Sequence, residues 1–153
     1  MPFDVERPFD VERMLRLWTD PLPEDEAAAA AGFRELYADP VTVNGTPVTA
    51  LDLVVRARVM QGALAQPERE VLAVVDAGDS VAVAFRLAGR QVGALDTPAG
   101  RLPPTGQRID LRIIDVLTLS DGRITGIWMV ADWLPAVAAA GALRLPADVD
   151  GSA

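Results

Sequence analysis

The stretch from Ile113 to Asp132, IIDVLTLSDGRITGIWMVAD, constrains the fold more than any other part of this chain. Apolar residues alternate on both sides of Ser120-Asp121-Gly122-Arg123. Asp-Gly between two alternating runs is a strong short-range signal for a β-hairpin. Leu111, Ile113, Leu117 and Leu119 share a parity with Asp115, and Trp128 and Val130 share a parity with Asp132. Two carboxylates therefore occupy positions where an apolar face is expected. With a two-residue loop, Ser120 pairs with Arg123, Asp115 lies opposite Trp128, Ile113 opposite Val130, and Leu111 opposite Asp132. Directly opposed residues project to one face. This register predicts Asp115, Trp128, Val130 and Asp132 around one enclosed, mostly apolar cavity, with the carboxylates roughly 13 Å apart along the strands. A slip of one residue would exchange the faces.

A carboxylate on an apolar wall is costly unless partnered, and desolvation raises its pKa. Asp115 is thus a candidate proton donor and Asp132, nearer the rim, a candidate base. A structural reading stands beside this one. Either aspartate could pair with an arginine such as Arg86 or Arg112, and Asp132 could cap the last helix.

Composition narrows the chemistry further. The chain has no Cys and no His, and all 14 of its basic residues are Arg. Thiol nucleophiles, zinc sites built on Cys or His, imidazole bases and Schiff-base lysines are excluded. Acid–base work falls to Asp, Glu or the single tyrosine, Tyr37, with Arg as an electrostatic aid. A net charge of −8 and the lack of any Arg cluster argue against nucleic acid as a partner. No apolar run approaches the roughly 18 residues of a membrane span, so a cytoplasmic protein is expected. With 153 residues, one domain is expected, spanning 9–145 between tails at 1–8 and 146–153.

The chain opens on a duplicated hexapeptide, Pro-Phe-Asp-Val-Glu-Arg at 2–7 and again at 8–13; only the second copy is expected to join the fold. Val11, Met14, Leu15 and Trp18 follow helical spacing. A second helix is predicted from the acidic first turn at Glu24-Asp25-Glu26 to near Tyr37. A short strand at 40–44 should break at Asn44-Gly45. Thr49-Ala-Leu-Asp52 resembles a capping box, with Asp for the usual Glu, opening a third helix to about Leu64. Strands are predicted at 70–76 and 80–89. The Pro- and Gly-rich segment from about Gly93 to Gly106 reads as a long loop, suited to a lid over the cavity. A short Ala-rich helix at about 134–143 has Pro135 in its first turn. Helices first and a meandering antiparallel sheet after them indicate an α+β fold with helices on one sheet face.

Several segments resemble a known family. They are FRELYADPVTVNGTPVTALDLVVRAR, PPTGQRIDLRIIDVLTLSDGRITGIWMVAD and WLPAVAAAGAL, over roughly residues 11 to 143. These are similar to SnoaL-like polyketide cyclases, part of the nuclear-transport-factor-2-like group that includes ketosteroid isomerase. The resemblance implies a curved antiparallel sheet wrapped by the N-terminal helices into a cone, a cystatin-like α+β barrel with a deep pocket, and a homodimer. It also implies an acid–base role for the aspartate of the Trp-x-x-x-Asp segment, here Asp132. In the isomerase branch an aspartate on the penultimate strand donates a proton to the oxyanion, and Asp115 matches that position.

The function expected is a cofactor-free cyclase, using no metal, that closes a ring in an apolar, polyketide-type intermediate of the kind built in antibiotic biosynthesis. Closure would combine substrate folding with carboxylate assistance. Tyr37, Asn44, Arg86, Trp128 and Trp18 are candidate substrate-binding residues. Each has a plainer reading: Trp18 as core, Asn44 as a turn residue, Arg86 as a solvated side chain. The alternatives are an epoxide hydrolase or isomerase on the same fold, and a small-molecule binding module without chemistry.

Overall fold

The structure, a computed structural model, describes residues 8–147. The first hexapeptide copy and the end of the C-terminal tail lie outside the described residues. Three helices come early: α1 (Val11–Thr19), α2 (Glu26–Arg34) and α3 (Ala50–Ala63). Between α2 and α3 lie β1 (Tyr37–Val43) and β2 (Thr46–Val48). After α3 come β3 (Leu64–Asp76), β4 (Ser80–Gln91), the short β5 (Leu95–Thr97) and β6 (Gly100–Leu102), β7 (Arg108–Ser120), β8 (Arg123–Ala131) and α4 (Leu134–Ala139).

The helix starts follow from their capping residues. The carboxylates of Asp10 and Asp25 accept from the backbone N–H of Arg13 and Ala28. Thr49 and Asp52 form the reciprocal capping box, with Asp doing the work of Glu. Asp10 belongs to the second hexapeptide copy, and the Phe9 N–H of that copy donates to Asp76. That copy is joined to the fold.

Six strands form one curved, open sheet in the order β2-β1-β8-β7-β4-β3. Every pairing is antiparallel except β1 with β8. Along β7, Ile109, Leu111, Ile113, Asp115 and Leu117 are buried while their even-numbered neighbours are exposed. On β4 the buried set is Val81, Val83, Phe85 and Leu87. These inner faces form one core with Met14 and Leu15 of α1, Ala29, Ala30 and Phe33 of α2, and Leu53, Val54 and Ala57 of α3. The α+β fold with helices over one sheet face is therefore the observed one; the sheet stays open and does not close into a barrel. Among the described residues, no helix is long and apolar enough to cross a membrane.

Four elements differ from expectation. The first strand begins earlier, at Tyr37, and the third begins at Leu64, directly after α3. The last helix ends at Ala139. The segment from Gly93 to Gly106 is a packed hairpin rather than a structureless lid. Leu95 and Leu102 are buried with Ala63, Leu64, Ile109 and Ala136. The buried Gln91 amide donates to the carbonyls of Gly93, Leu102 and Pro103 and accepts from the Thr105 hydroxyl. Gly93 lies so close to α3 that an added Cβ would sit 2.4 Å from the Gly62 carbonyl oxygen. Side-chain periodicity cannot reveal such an anchor, because its partners are backbone carbonyls.

Candidate functional site

The hairpin turn forms as predicted, with Ser120 paired to Arg123 and both Asp121 and Gly122 at positive φ. The register beyond it does not. Leu119 pairs with Ile124, but Thr118 pairs with Gly126, so Thr125 is an extra residue in β8, a β-bulge. Its hydroxyl donates to the Thr118 carbonyl. From there on, every β8 side chain points to the face opposite to the one expected. Asp115 lies across from Met129, and Trp128 lies across from Val116.

The expected site is thereby divided. Asp115 points into the core. Trp128 is on the outer face and 64% exposed. Asp132 is level with Arg112 on that outer side: its backbone N–H donates to the Arg112 carbonyl and its carboxylate accepts from the Arg112 guanidinium at 2.8 Å. The enclosed cavity shared by Asp115, Trp128 and Asp132 is therefore not formed.

Two further candidates also lie elsewhere. Arg86 is on the outer face, 3.4 Å from Asp110 and 3.6 Å from Glu70. It has the parity of Ala82 and Ala84, which is the outward one, and does not reach the interior. Asn44 sits at the β1–β2 turn, and its side-chain amide is engaged with the Met129 backbone. It donates to the carbonyl and accepts from the N–H at 2.8 Å. This clamp extends the parallel β1–β8 pairing by one step, and its partners leave the amide little to offer a substrate.

Tyr37 and Trp18, in contrast, do meet near Asp115. The Trp18 indole N–H donates to the Tyr37 hydroxyl oxygen at 2.9 Å. Phe33 completes an aromatic group, edge-on to Trp18 with ring centroids 5.6 Å apart and 5.7 Å from Tyr37. Burial holds the Tyr37 phenol well above its ordinary value; the Trp18 hydrogen bond pulls it down and the Asp115 charge pushes it up. Since the indole N–H occupies a lone pair on the phenol oxygen, the phenol O–H remains a donor.

Asp115 itself is 7% exposed. Among the described residues, its Oδ1 is the buried side-chain polar atom without a hydrogen-bond partner. Desolvation pushes the carboxyl up to about 7. Among the described residues, no arginine forms an ion pair with it. A carboxyl with this titration is part neutral acid, part carboxylate near neutral pH, which suits either direction of proton transfer. On the open side, Met129 is 40% exposed and Trp18 is partly buried against the core. Phe33 and Met129 escaped the sequence reading. Phe33 looks like plain helix core, and Met129 becomes an inward residue only through the bulge.

A cleft of about 800 Å³ lies at the turn end of the sheet between the start of α1 and the β3–β4 and β7–β8 turns. Phe9, Asp10, Arg13, Asp76, Asp79 and Asp121 are among its lining residues. None of the predicted site residues lines it.

Residues 14–139 match the protein family described as SnoaL-like polyketide cyclase. No curated protein sequence matches the chain. Solved structures do. One is a protein of Jannaschia sp. CCS1 assigned to the SnoaL-like polyketide cyclases, with TM-score 0.64 and 24% identity, covering 88% of this chain and 92% of that one. TsrD from Streptomyces laurentii gives TM-score 0.69 at 18% identity, covering 86% and 92%. IdmH from Streptomyces antibioticus, assigned as a polyketide cyclase, gives 0.60 at 20% identity, covering 85% and 96%. At these identities the likeness is one of fold.

Proposed function

This chain belongs to the SnoaL-like polyketide cyclase family, and we propose that it closes a ring in an apolar, polyketide-type intermediate with Asp115 as the proton-transferring group. The observation that carries this reading is the buried Asp115 carboxyl, which has an unpartnered oxygen and a pKa raised to about 7. Such a group destabilises a core for no structural return; a polar atom of a bound substrate would supply the missing partner.

In an aldol or conjugate-addition closure, a carbon nucleophile attacks an electrophilic carbon of the same chain and negative charge develops on a carbonyl oxygen. The neutral Asp115 acid donates its proton to that oxygen as the carbon–carbon bond forms, and the resulting carboxylate is reset by taking a proton from the substrate or solvent. The chemistry consists of bond formation and proton transfer, which side chains can assist without a redox group. Tyr37 is close enough to feel the Asp115 charge and belongs to an aromatic group with Trp18 and Phe33; a substrate bound at Asp115 would meet the Tyr37 O–H as a second donor. Folding the substrate against that aromatic group contributes by orientation alone. Paired-carboxylate hydrolysis of an epoxide is less well supported, because Asp132 lies on the other face of the sheet.

The test is turnover of a poly-β-carbonyl chain, followed by chromatography, with wild type and Asp115→Asn. A loss of about 10²-fold or more with circular dichroism unchanged fits acid–base catalysis. Equal turnover in both would leave the carboxyl without a catalytic role. Binding with no turnover in either would favour the binding-module alternative.

A further inference from the structure

We propose that Met129 is the gate between solvent and Asp115, and that its side chain sets how bulky a substrate the site admits. The proposal rests on the reading of Asp115 as the proton-transferring group, and it names the residue that controls entry to that group. On the inner face of the sheet the strand neighbours of Asp115 are Ile113 and Leu117 along β7, Val83 on β4 and Met129 on β8. Ile113, Leu117 and Val83 are buried. Tyr37, close enough to feel the Asp115 charge, is buried as well. Met129 is 40% exposed although it points inward. Its side chain therefore connects the buried carboxyl to the surface.

Sheet topology gives the reason. β8 lies between β1 and β7, but its parallel pairing with β1 ends at Val43 and Ile127. Beyond Ile127, β8 is an edge, and an inward side chain there has no strand neighbour on the β1 side. The Asn44 side chain replaces that neighbour for the backbone alone. Its amide nitrogen donates to the Met129 carbonyl, and its oxygen accepts from the Met129 N–H. Both peptide groups of residue 129 are thus held, while its side chain is left without cover. The next inward residue, Ala131, is half-buried and offers only a methyl group.

Methionine suits a gate at this position. It is unbranched, with three rotatable bonds and a polarisable thioether, so it changes rotamer readily and stays apolar toward an apolar substrate. Rotation about these bonds covers or opens the approach to the Asp115 Oδ1, the buried atom without a partner, and no strand has to move. Val83, on the other flank, is β-branched, stiff at χ1 and fully buried, and does not yield. Entry is from the Met129 side.

Apolar carbodiimides test the gate without requiring turnover, since they react with buried, protonated carboxyls. The full chain is treated with diisopropylcarbodiimide or the bulkier dicyclohexylcarbodiimide, as wild type, Met129→Ala, Met129→Ile and Val130→Ala. Mass spectrometry maps the adduct on Asp115, and rates are compared per protonated carboxyl, taken from each variant's titration. Met129→Ala should label at least about 10-fold faster, with the larger gain for the bulkier reagent, as for a pocket relieved of several heavy atoms. Its Asp115 midpoint should also fall from near 7 as water enters. Met129→Ile, similar in volume but stiff at χ1, should label more slowly than wild type. Val130→Ala, on the outer face of the same strand, should label as wild type does. With poly-β-carbonyl chains of two lengths, kcat/KM of Met129→Ala should shift in favour of the longer chain. Circular dichroism reports folding, and Met129→Ile decides alone if the alanine variant does not fold. Wild-type labelling rates in the Met129 variants, an unchanged ratio between the two reagents in Met129→Ala, or equal acceleration in Val130→Ala would overturn the proposal. Gated labelling beside full turnover in Asp115→Asn would instead remove the reaction assigned to Asp115 and keep Met129 as the gate.

Discussion

Asp115 faces Met129 across the β7–β8 pair, while Trp128, the preceding residue, points out of the opposite side of the sheet. Thr125 causes this arrangement, since the bulge adds one residue to β8 between the turn and the site. Deleting Thr125 would restore the regular hairpin register and turn Ile127 and Met129 outward, while forcing Trp128 and Val130 into a filled core. Overpacking and lost burial together should cost more than about 3 kcal/mol. Thermal unfolding should show a collapsed midpoint or no cooperative transition. A deletion variant of wild-type stability would mean that the register is not held by this residue.

Tyr37→Phe removes the acceptor of the Trp18 indole N–H. The indole is only partly buried, so water can replace the lost partner and the cost should be about 1 kcal/mol in urea unfolding. If the Tyr37 O–H assists the reaction, turnover should also fall, with substrate affinity changing less.

Gln91→Leu should be more damaging than its distance from Asp115 suggests. The side chain is fully buried and satisfies three carbonyls and one hydroxyl. Leaving these groups without a partner should cost about 2–4 kcal/mol. Hydrogen exchange should then rise across β5 and β6. Unchanged protection there would show that the apolar contacts of Leu95 and Leu102 hold the hairpin alone.

Most of the fold was legible from local chemistry. Helical spacing, the Thr49 capping box, the Asp121-Gly122 turn and the parity of β7 all act over a few residues, and each is observed. Asp115 was readable for the same reason, as a carboxylate in a strand of alternating apolar side chains. What lies beyond the turn was not. A bulge at a threonine leaves no distinctive pattern when both parities of β8 are apolar: Ile127 and Met129 on one, Trp128 and Val130 on the other. Asp132, Trp128 and the cavity expected between them depended on that single step of register. Asn44 and Gln91 were opaque for another reason, since their partners are backbone groups of distant strands.

Asp132→Asn should separate the two carboxylates functionally. Its ion pair with Arg112 is at the surface, where such pairs contribute ~0–1 kcal/mol. Stability should hardly move, and turnover by this variant should stay within about threefold of wild type, against about 10²-fold or more lost in Asp115→Asn. Comparable losses in both would place Asp132 in the chemistry despite its outward position.

Burial of Asp115 also sets a pH dependence of stability. Its folded pKa is raised from 3.8 to about 7, so between those values the folded state binds more protons than the unfolded state. Stability from this group is complete below about pH 4 and is lost as pH rises through about 7, by an amount on the order of 4 kcal/mol. Other carboxylates add their own slopes at low pH, so the relevant quantity is the difference between wild type and Asp115→Asn. The variant should gain on wild type from pH 4 to 7 and keep a constant difference above that range.

The most direct test is an NMR titration of the Asp115 side-chain carboxyl, followed by its ¹³C shift and assigned by its loss in Asp115→Asn. A buried, unpartnered acid predicts a midpoint near 7, well separated from the exposed aspartates. A midpoint in the ordinary range near 4 would mean that the carboxyl is solvated or paired, and Asp115 would not be the proton donor of this fold.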